Sequence, residues 1–235
     1  MSAQVETPDP RLWTATAVAA RIQHTLLRSD AMREDVERHC DECLEFGFDA
    51  AMIAGNWLAV GRRVLAGSDV KLASAVDFPL GIMTTTGKVA EARALVDAGA
   101  DELDIMVNVG WLRSGLDAEF RDDVAQVVEA AHPAAVKVML ELPLLSPNER
   151  DRAVDLTVAA GVAFVKNASS SAVGVATPDE ICYLRGRAPA SVRVKASGGI
   201  KSWEHAVALF EAGADLVGSS TGVAIVRRQA GAESY

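Results

Sequence analysis

Eight short β-rich runs alternate with longer helix-like stretches along this chain, and that alternation constrains the fold more than any other feature of the sequence. The runs are Arg21–Leu26, Asp49–Ala54, Val70–Phe78, Glu102–Val109, Ala135–Leu142, Val162–Asn167, Val192–Ser197 and Asp215–Gly218. Between them lie helical patterns such as Arg33–Phe46, Lys88–Ala98, Ala118–Ala131, Pro147–Ala160, Pro178–Gly186 and Trp203–Ala212. The pattern predicts an α/β fold, a single-domain (β/α)8 TIM barrel, and 235 residues suit one such domain. If the first run were not a strand, an open doubly wound sheet would be the rival. That fold wants a Gly-x-Gly-x-x-Gly turn near its start, and the sequence has none. Ala-Gly-Ala-Asp occurs at 98–101 and 212–215, each time before a strand, and reads as a helix C-cap leading into it. The barrel is expected over residues 13–228, with a flexible N-terminal arm at 1–12 and a C-terminal tail at 229–235.

Within the runs, residues alternate between two faces. Leu103, Ile105, Val107 and Val109 share one face, and Glu102, Asp104, Met106 and Asn108 the other. Val136, Val138, Leu140 and Leu142 oppose Lys137, Met139 and Glu141, and Val192 and Val194 oppose Arg193, Lys195 and Ser197. A barrel strand packs its apolar face on the helices and turns the other inward. Asp104, Lys137, Glu141 and Lys195 are therefore expected inside. Lys166 shares its parity with Phe164 and Val162, so polarity leaves the sixth strand open. Any one of these charges reads as a structural ion pair. A mixed-charge interior is better explained by chemistry, because apolar replacements of buried pairs are often neutral or stabilising.

Lys166 and Lys195 end neighbouring runs. One lysine beside another is a way to make an amine nucleophilic at neutral pH, which points to carbonyl chemistry through a Schiff base. Two turns suit an anion. Gly198-Gly199 follows the seventh run and Gly218-Ser219-Ser220 the eighth, each leading to a helix. These are the usual phosphate loops of such a barrel, although glycine is also ordinary turn chemistry.

Composition removes other classes. The net charge of −9 disfavours nucleic acid. No apolar stretch is long enough to span a bilayer, and the N-terminus lacks the apolar core of a signal peptide, so a cytoplasmic protein with a small-molecule substrate is expected. Cys40-x-x-Cys43, preceded by His39, could suggest a metal or redox site, but it falls within a helical stretch and has no second ligand pair. The four histidines are scattered singly, so no metal and no cofactor are expected.

Several stretches resemble the deoxyribose-phosphate aldolases, class I aldolases built on a barrel. They are Ile22-Gln-His-Thr-Leu-Leu, Phe78-Pro-Leu-Gly, Gly99-Ala-Asp-Glu-Leu-Asp104, Val136-Lys137-Val, Phe164-Val-Lys166, Val194-Lys195-Ala-Ser-Gly-Gly-Ile and Gly218-Ser-Ser-Thr-Gly-Val. The resemblance implies cleavage of 2-deoxyribose 5-phosphate to acetaldehyde and glyceraldehyde 3-phosphate. Lys166 would form the Schiff base, Lys195 would lower its pKa, and Asp104 would relay protons through water. Lys137, Thr25 and the turns at Gly198, Gly199, Gly218, Ser219 and Ser220 would serve the phosphorylated substrate. Tyr235 stands where some relatives carry a tyrosine that assists proton transfer. A homodimer or higher homo-oligomer is implied, with Trp13 or Trp57 as exposed candidates for an interface.

The sequence also departs from the family. Asn167-Ala168-Ser169-Ser170 replaces a Thr-Ser-Thr-Gly pattern, Gln23 an aspartate, and Asp77 a small or neutral residue, while the second strand ends Met52-Ile-Ala-Gly-Asn without the familiar cysteine. These positions are expected to face the substrate. Drift in an ordinary enzyme and a changed acceptor both fit them, and an idle sugar-phosphate-binding barrel is a third reading.

Overall fold

Eight parallel strands close on themselves in chain order: β1 (Ile22–Leu26), β2 (Ala50–Ile53), β3 (Lys71–Val76), β4 (Glu102–Met106), β5 (Ala135–Met139), β6 (Phe164–Lys166), β7 (Arg193–Ser197) and β8 (Leu216–Ser219). β8 pairs back onto β1 through Ile22↔Val217 and Gln23↔Gly218, which leaves no sheet edge. The structure, a computed structural model, describes residues 13–229. The expected arm at 1–12 and tail residues 230–235, Tyr235 included, lie outside the described residues.

Outside the strands run α1 (Ala15–Ala19), α2 (Arg33–Phe46), α3 (Leu58–Val64), α4 (Thr85–Asp97), α5 (Val109–Arg113), α6 (Asp117–Ala131), α7 (Pro147–Ala159), α8 (Pro178–Arg187), α9 (Trp203–Glu211) and α10 (Gly222–Val226). Local chemistry starts the helices. The Thr84, Thr177 and Ser202 hydroxyls accept from backbone N–H groups of α4, α8 and α9, and Ser146 with Glu149 forms a capping box ahead of Pro147. The outward faces of the strands, including Leu103, Ile105, Val136, Val138 and Val194, are buried in one core shared with the helices.

The two Ala-Gly-Ala-Asp segments adopt one local solution. Gly99 and Gly213 sit at φ 100° and 105°, where a side chain is disfavoured, and carry the chain out of α4 and α9. Asp101 and Asp215 then accept through Oδ2 from the N–H groups of Leu72 and Val194, each at 2.8 Å, tying each incoming strand to the one before it.

Two strands stop earlier than their polarity pattern. β3 ends before Asp77 at φ 56°, and β5 ends before Glu141 at φ 55°, which opens a short 3-10 turn at Leu142–Leu144. A left-handed residue breaks the ladder and turns the chain over the barrel mouth. Trp13 and Trp57 are not the exposed aromatics expected from the sequence. Both pack partly buried against the core, Trp13 stacked on Phe210 at 5.1 Å.

Candidate active site

Strand parity brings the charged residues together. β4 carries Glu102 and Asp104, β5 Lys137, β6 Lys166 and β7 Lys195, with Asp104 level with Lys137 and Lys166 level with Lys195. Asp104 Oδ2 accepts from Lys166 Nζ at 2.9 Å and from Lys195 Nζ at 2.7 Å. Lys137 Nζ lies 3.2 Å from Asp104 Oδ1 and 2.6 Å from Glu102 Oε2. β6 turns Phe164 inward along with Lys166, which settles the face that polarity left open. The Phe164 ring lies 5.6 Å from Lys137 Nζ and 3.9 Å from the Arg193 guanidinium carbon.

Burial and charge compete in this cluster. Burial alone would raise the Asp104 carboxyl, but the Lys166, Lys195 and Lys137 ammoniums outweigh it and hold it well below the usual range. Burial pushes Lys195 down to about 7, and Lys166 and Lys137 push the same way against the pull of Asp104. Lys195 is thus a depressed amine at the centre of the cluster. Glu102 is held low despite its burial, by Lys137 and Lys71.

A cavity opens above the cluster. Lys166, Lys195, Thr25, Gly198, Gly199, Gly218, Ser219 and Ser220 all line it, so most of the residues singled out in sequence meet in one place. A Cβ on Gly198, at φ 107°, would sit 2.3 Å from the Gly174 carbonyl oxygen. One on Gly218 would sit 3.2 Å from Lys195 Cε, so Gly218 makes room for the lysine as well as lining the pocket. The Ser219 hydroxyl donates to Ile200 O at 2.7 Å and accepts from Thr221 N, which ties the β7 and β8 loops together.

Several expectations are corrected. Lys137 does not line the cavity. It is fully buried, with the Glu102 and Asp104 carboxylates as its partners. Glu141 makes no ion pair with the lysines, although Lys166 acts on its carboxyl, and its left-handed backbone ends the strand parity. Its Oε1 accepts from Ser169 N at 2.7 Å, and burial raises its carboxyl. Three of the departures do not line the cavity. Asp77 accepts from Met83 N and lies 3.6 Å from the buried Lys88. Asn167 accepts from Ser197 N and donates to Glu180. Gln23 sits beneath Lys195 and donates to Asp49 and Glu102. Met52 and Ser169 do line the cavity.

The histidines are not all isolated in space. On the outer side of β1, the His24 ring stacks on His39 at 4.1 Å, and ligand atoms of His24, His39 and Glu42 lie within 4.8 Å of one another. These groups are engaged with one another: His24 Nε2 is 2.9 Å from Glu42 Oε2, and His39 Nε2 donates to His24 O at 3.0 Å. Cys40 and Cys43 are buried in α2, and burial pushes both thiols up, Cys40 to about 11.

Sequence reasoning missed Glu102, Gln23's contact with Lys195, Lys201 at the cavity wall and the Lys88 cluster. Glu102 shares its parity with Asp104, and that signal could have found it. Lys88 carries no such signal, since its partners are 11 to 35 residues away in the chain.

The chain is similar to known proteins in both sequence and fold. The DeoC/LacD family aldolase pattern matches residues 17–229. A protein from Alkaliphilus oremlandii named deoxyribose-phosphate aldolase is 41% identical over 210 residues, covering 89% of this chain and 95% of its own. One of the same name from Methanocella arvoryzae is 40% identical over 220 residues, covering 93% and 98%. Among solved structures, the tetrameric deoxyribose phosphate aldolase from Aeropyrum pernix superposes with a TM-score of 0.85 at 32% identity, covering 92% of both chains.

Proposed function

Because this chain belongs to the DeoC/LacD family of aldolases, we propose that its reaction is the reversible cleavage of 2-deoxyribose 5-phosphate through an imine on Lys166. The protein is an aldolase, a lyase. The observation that carries the mechanism is one carboxylate oxygen, Asp104 Oδ2, shared by two lysines that both line the cavity.

A lysine with the ordinary pKa near 10.4 is almost wholly protonated at neutral pH, so the site must dispose of a proton before it can attack. Lys195, near 7, is a base of suitable strength, and the Asp104 oxygen joins it to Lys166. Lys166 is the better nucleophile on geometry. It gives one hydrogen bond within the cluster, whereas Lys195 is held by both Asp104 and Gln23. The neutral Lys166 amine adds to the C1 aldehyde of the open-chain sugar, and loss of water leaves an iminium. Removal of the C3 hydroxyl proton breaks the C2–C3 bond and releases glyceraldehyde 3-phosphate, and the iminium takes up the electron pair as an enamine. Protonation of the enamine at carbon and hydrolysis free acetaldehyde and restore Lys166. The phosphate is read as sitting at Gly198–Gly199 and Ser219–Ser220, beside Lys201.

That Gln23, Asp77 and Asn167 do not line the cavity favours this substrate over an altered acceptor. Self-association and a cytoplasmic setting belong to the same reading. They are supported by the tetrameric relative and by the free thiols of Cys40, Cys43 and Cys182, which suit a reducing compartment. The test is borohydride reduction in the presence of acetaldehyde, with the adduct mapped by mass spectrometry, alongside a retro-aldol assay. An adduct on Lys166, lost in Lys166→Ala, is expected. An adduct on Lys195 would exchange the two roles, and no adduct would remove the mechanism. Intact trapping with negligible turnover of 2-deoxyribose 5-phosphate would favour a different acceptor.

A further inference from the structure

Gln23 is fully buried in β1 and stands between two sets of charges. Its Nε2 donates to Asp49 Oδ2 at 2.8 Å and to Glu102 Oε2 at 2.6 Å. Its Oε1 accepts from Lys195 Nζ at 2.5 Å. Two carboxylates on one side require the NH2 end there, so the carbonyl must face the lysine. We infer that Gln23 is a positioning residue for this aldolase, a neutral spacer that keeps the Asp49 and Glu102 carboxylates off Lys195 and so lets the lysine cluster shed a proton. The inference rests on the imine reading above.

The charges around Lys195 support it. Inside the barrel Lys195 faces Asp104 from β4, Lys166 from β6 and Lys137 from β5, while β8 presents Gly218. Of the remaining groups, Glu102 pairs with Lys137, Asp49 pairs with Lys71 at 2.6 Å, and Arg193 lies over Phe164. With every lysine protonated, Lys137, Lys166 and Lys195 would confront Asp104 and Glu102 directly, while Glu141, whose carboxyl burial raises, acts on Lys166 without touching it. That leaves one positive charge in excess in a buried site, and releasing a proton relieves it. A carboxylate in place of the amide would cancel the excess. The Gln23 carbonyl can accept from either an ammonium or a neutral amine, so it holds Lys195 in place through the change.

The test compares wild type with Gln23→Glu, an isostere that adds charge, and Gln23→Met, which removes the acceptor without adding charge. The pH dependence of kcat/KM and of the borohydride trapping rate is measured for each, with melting temperatures as a check on folding. The acid limb is expected to move up by about one pH unit or more in Gln23→Glu and to stay or move down in Gln23→Met. A purely structural role would lower Tm and leave the limb where it is. Acid limbs that coincide in all three proteins, with wild type trapping normally on Lys166, overturn this inference and leave the imine reading intact. Absence of a wild-type adduct even at pH 9 removes the imine reading, and this inference with it.

Discussion

Three ammonium groups within 3.2 Å of one fully buried carboxylate leave Asp104 without a neutral substitute. In Asp104→Asn the amide oxygen could still accept from a lysine, but the charge that compensates the cluster would be gone. Lys195 would then fall further below 7, because Asp104 is what pulls it upward. Neutral amine would be more abundant and activity nevertheless lower, since in the proposed mechanism the proton passes between Lys166 and Lys195 by way of that oxygen. A loss of about 10² or more in kcat is expected, with the acid limb displaced downward in the pH profile. Gly218 gives a second residue-scale test. A Cβ there presses on Lys195 Cε, so Gly218→Ala should cut kcat about tenfold with little change in Tm. Some of this was legible in the sequence. Period-two alternation placed Asp104, Lys137 and Lys195 inside because their strands oppose polar to apolar residues. It left Lys166 open, because that strand turns Phe164 inward too, and it does not extend as far as Glu141, where a left-handed residue ends the alternation. Gln23 was visible as a departure, but its task was not, because that task depends on strands far apart in the chain.

At the scale of elements, α4 is fastened to the barrel by a charge that takes no part in the chemistry. Lys88 is fully buried, 2.8 Å from Asp123 Oδ2 on α6, 3.6 Å from Asp77 Oδ2 and 3.1 Å from Met106 O. One ammonium thus joins two helices to the turn after β3, and that turn sets Phe78 against the cavity. Lys88→Met would leave Asp123 and Asp77 buried without their cation. Breaking a buried pair from one side costs about 3–5 kcal/mol, so a large fall in urea midpoint is expected. Adding Asp123→Asn should recover part of it, and a double-mutant cycle measures the coupling. The sequence announced α4 itself, together with α2, α6, α7, α8 and α9, since each is long enough to carry caps and a periodic face. The five-residue α1, α5 and α10 and the seven-residue α3 are too short to print a period, and tertiary packing decides them.

For the molecule as a whole, the number and order of strands were readable because alternation is a property of the entire chain. Closure was legible only indirectly, from eight strands and the missing Gly-x-Gly-x-x-Gly turn, because the ladder itself rests on β8 finding β1 across nearly two hundred residues. That closure buries the lysine cluster, and its cost should appear in global stability. Lys195 titrates near 7 when folded and near 10.4 when unfolded. Between those values the unfolded chain binds more protons, so stability rises with pH, with a ceiling of about 1.4 kcal/mol per pH unit. Cys40 works in the opposite sense. Its thiol is raised from 9.0 to about 11 in the folded protein, so above pH 9 the native state is the one that holds more protons. Cys43 and Tyr183, also raised, add to that opposing slope. The interval between pH 7 and about 8.5 therefore isolates Lys195. Urea unfolding across it should give a midpoint that climbs in wild type and stays level in Lys195→Met. A wild-type midpoint as level as the variant's would mean that Lys195 keeps its proton through this range, and that the buried excess charge is relieved somewhere else.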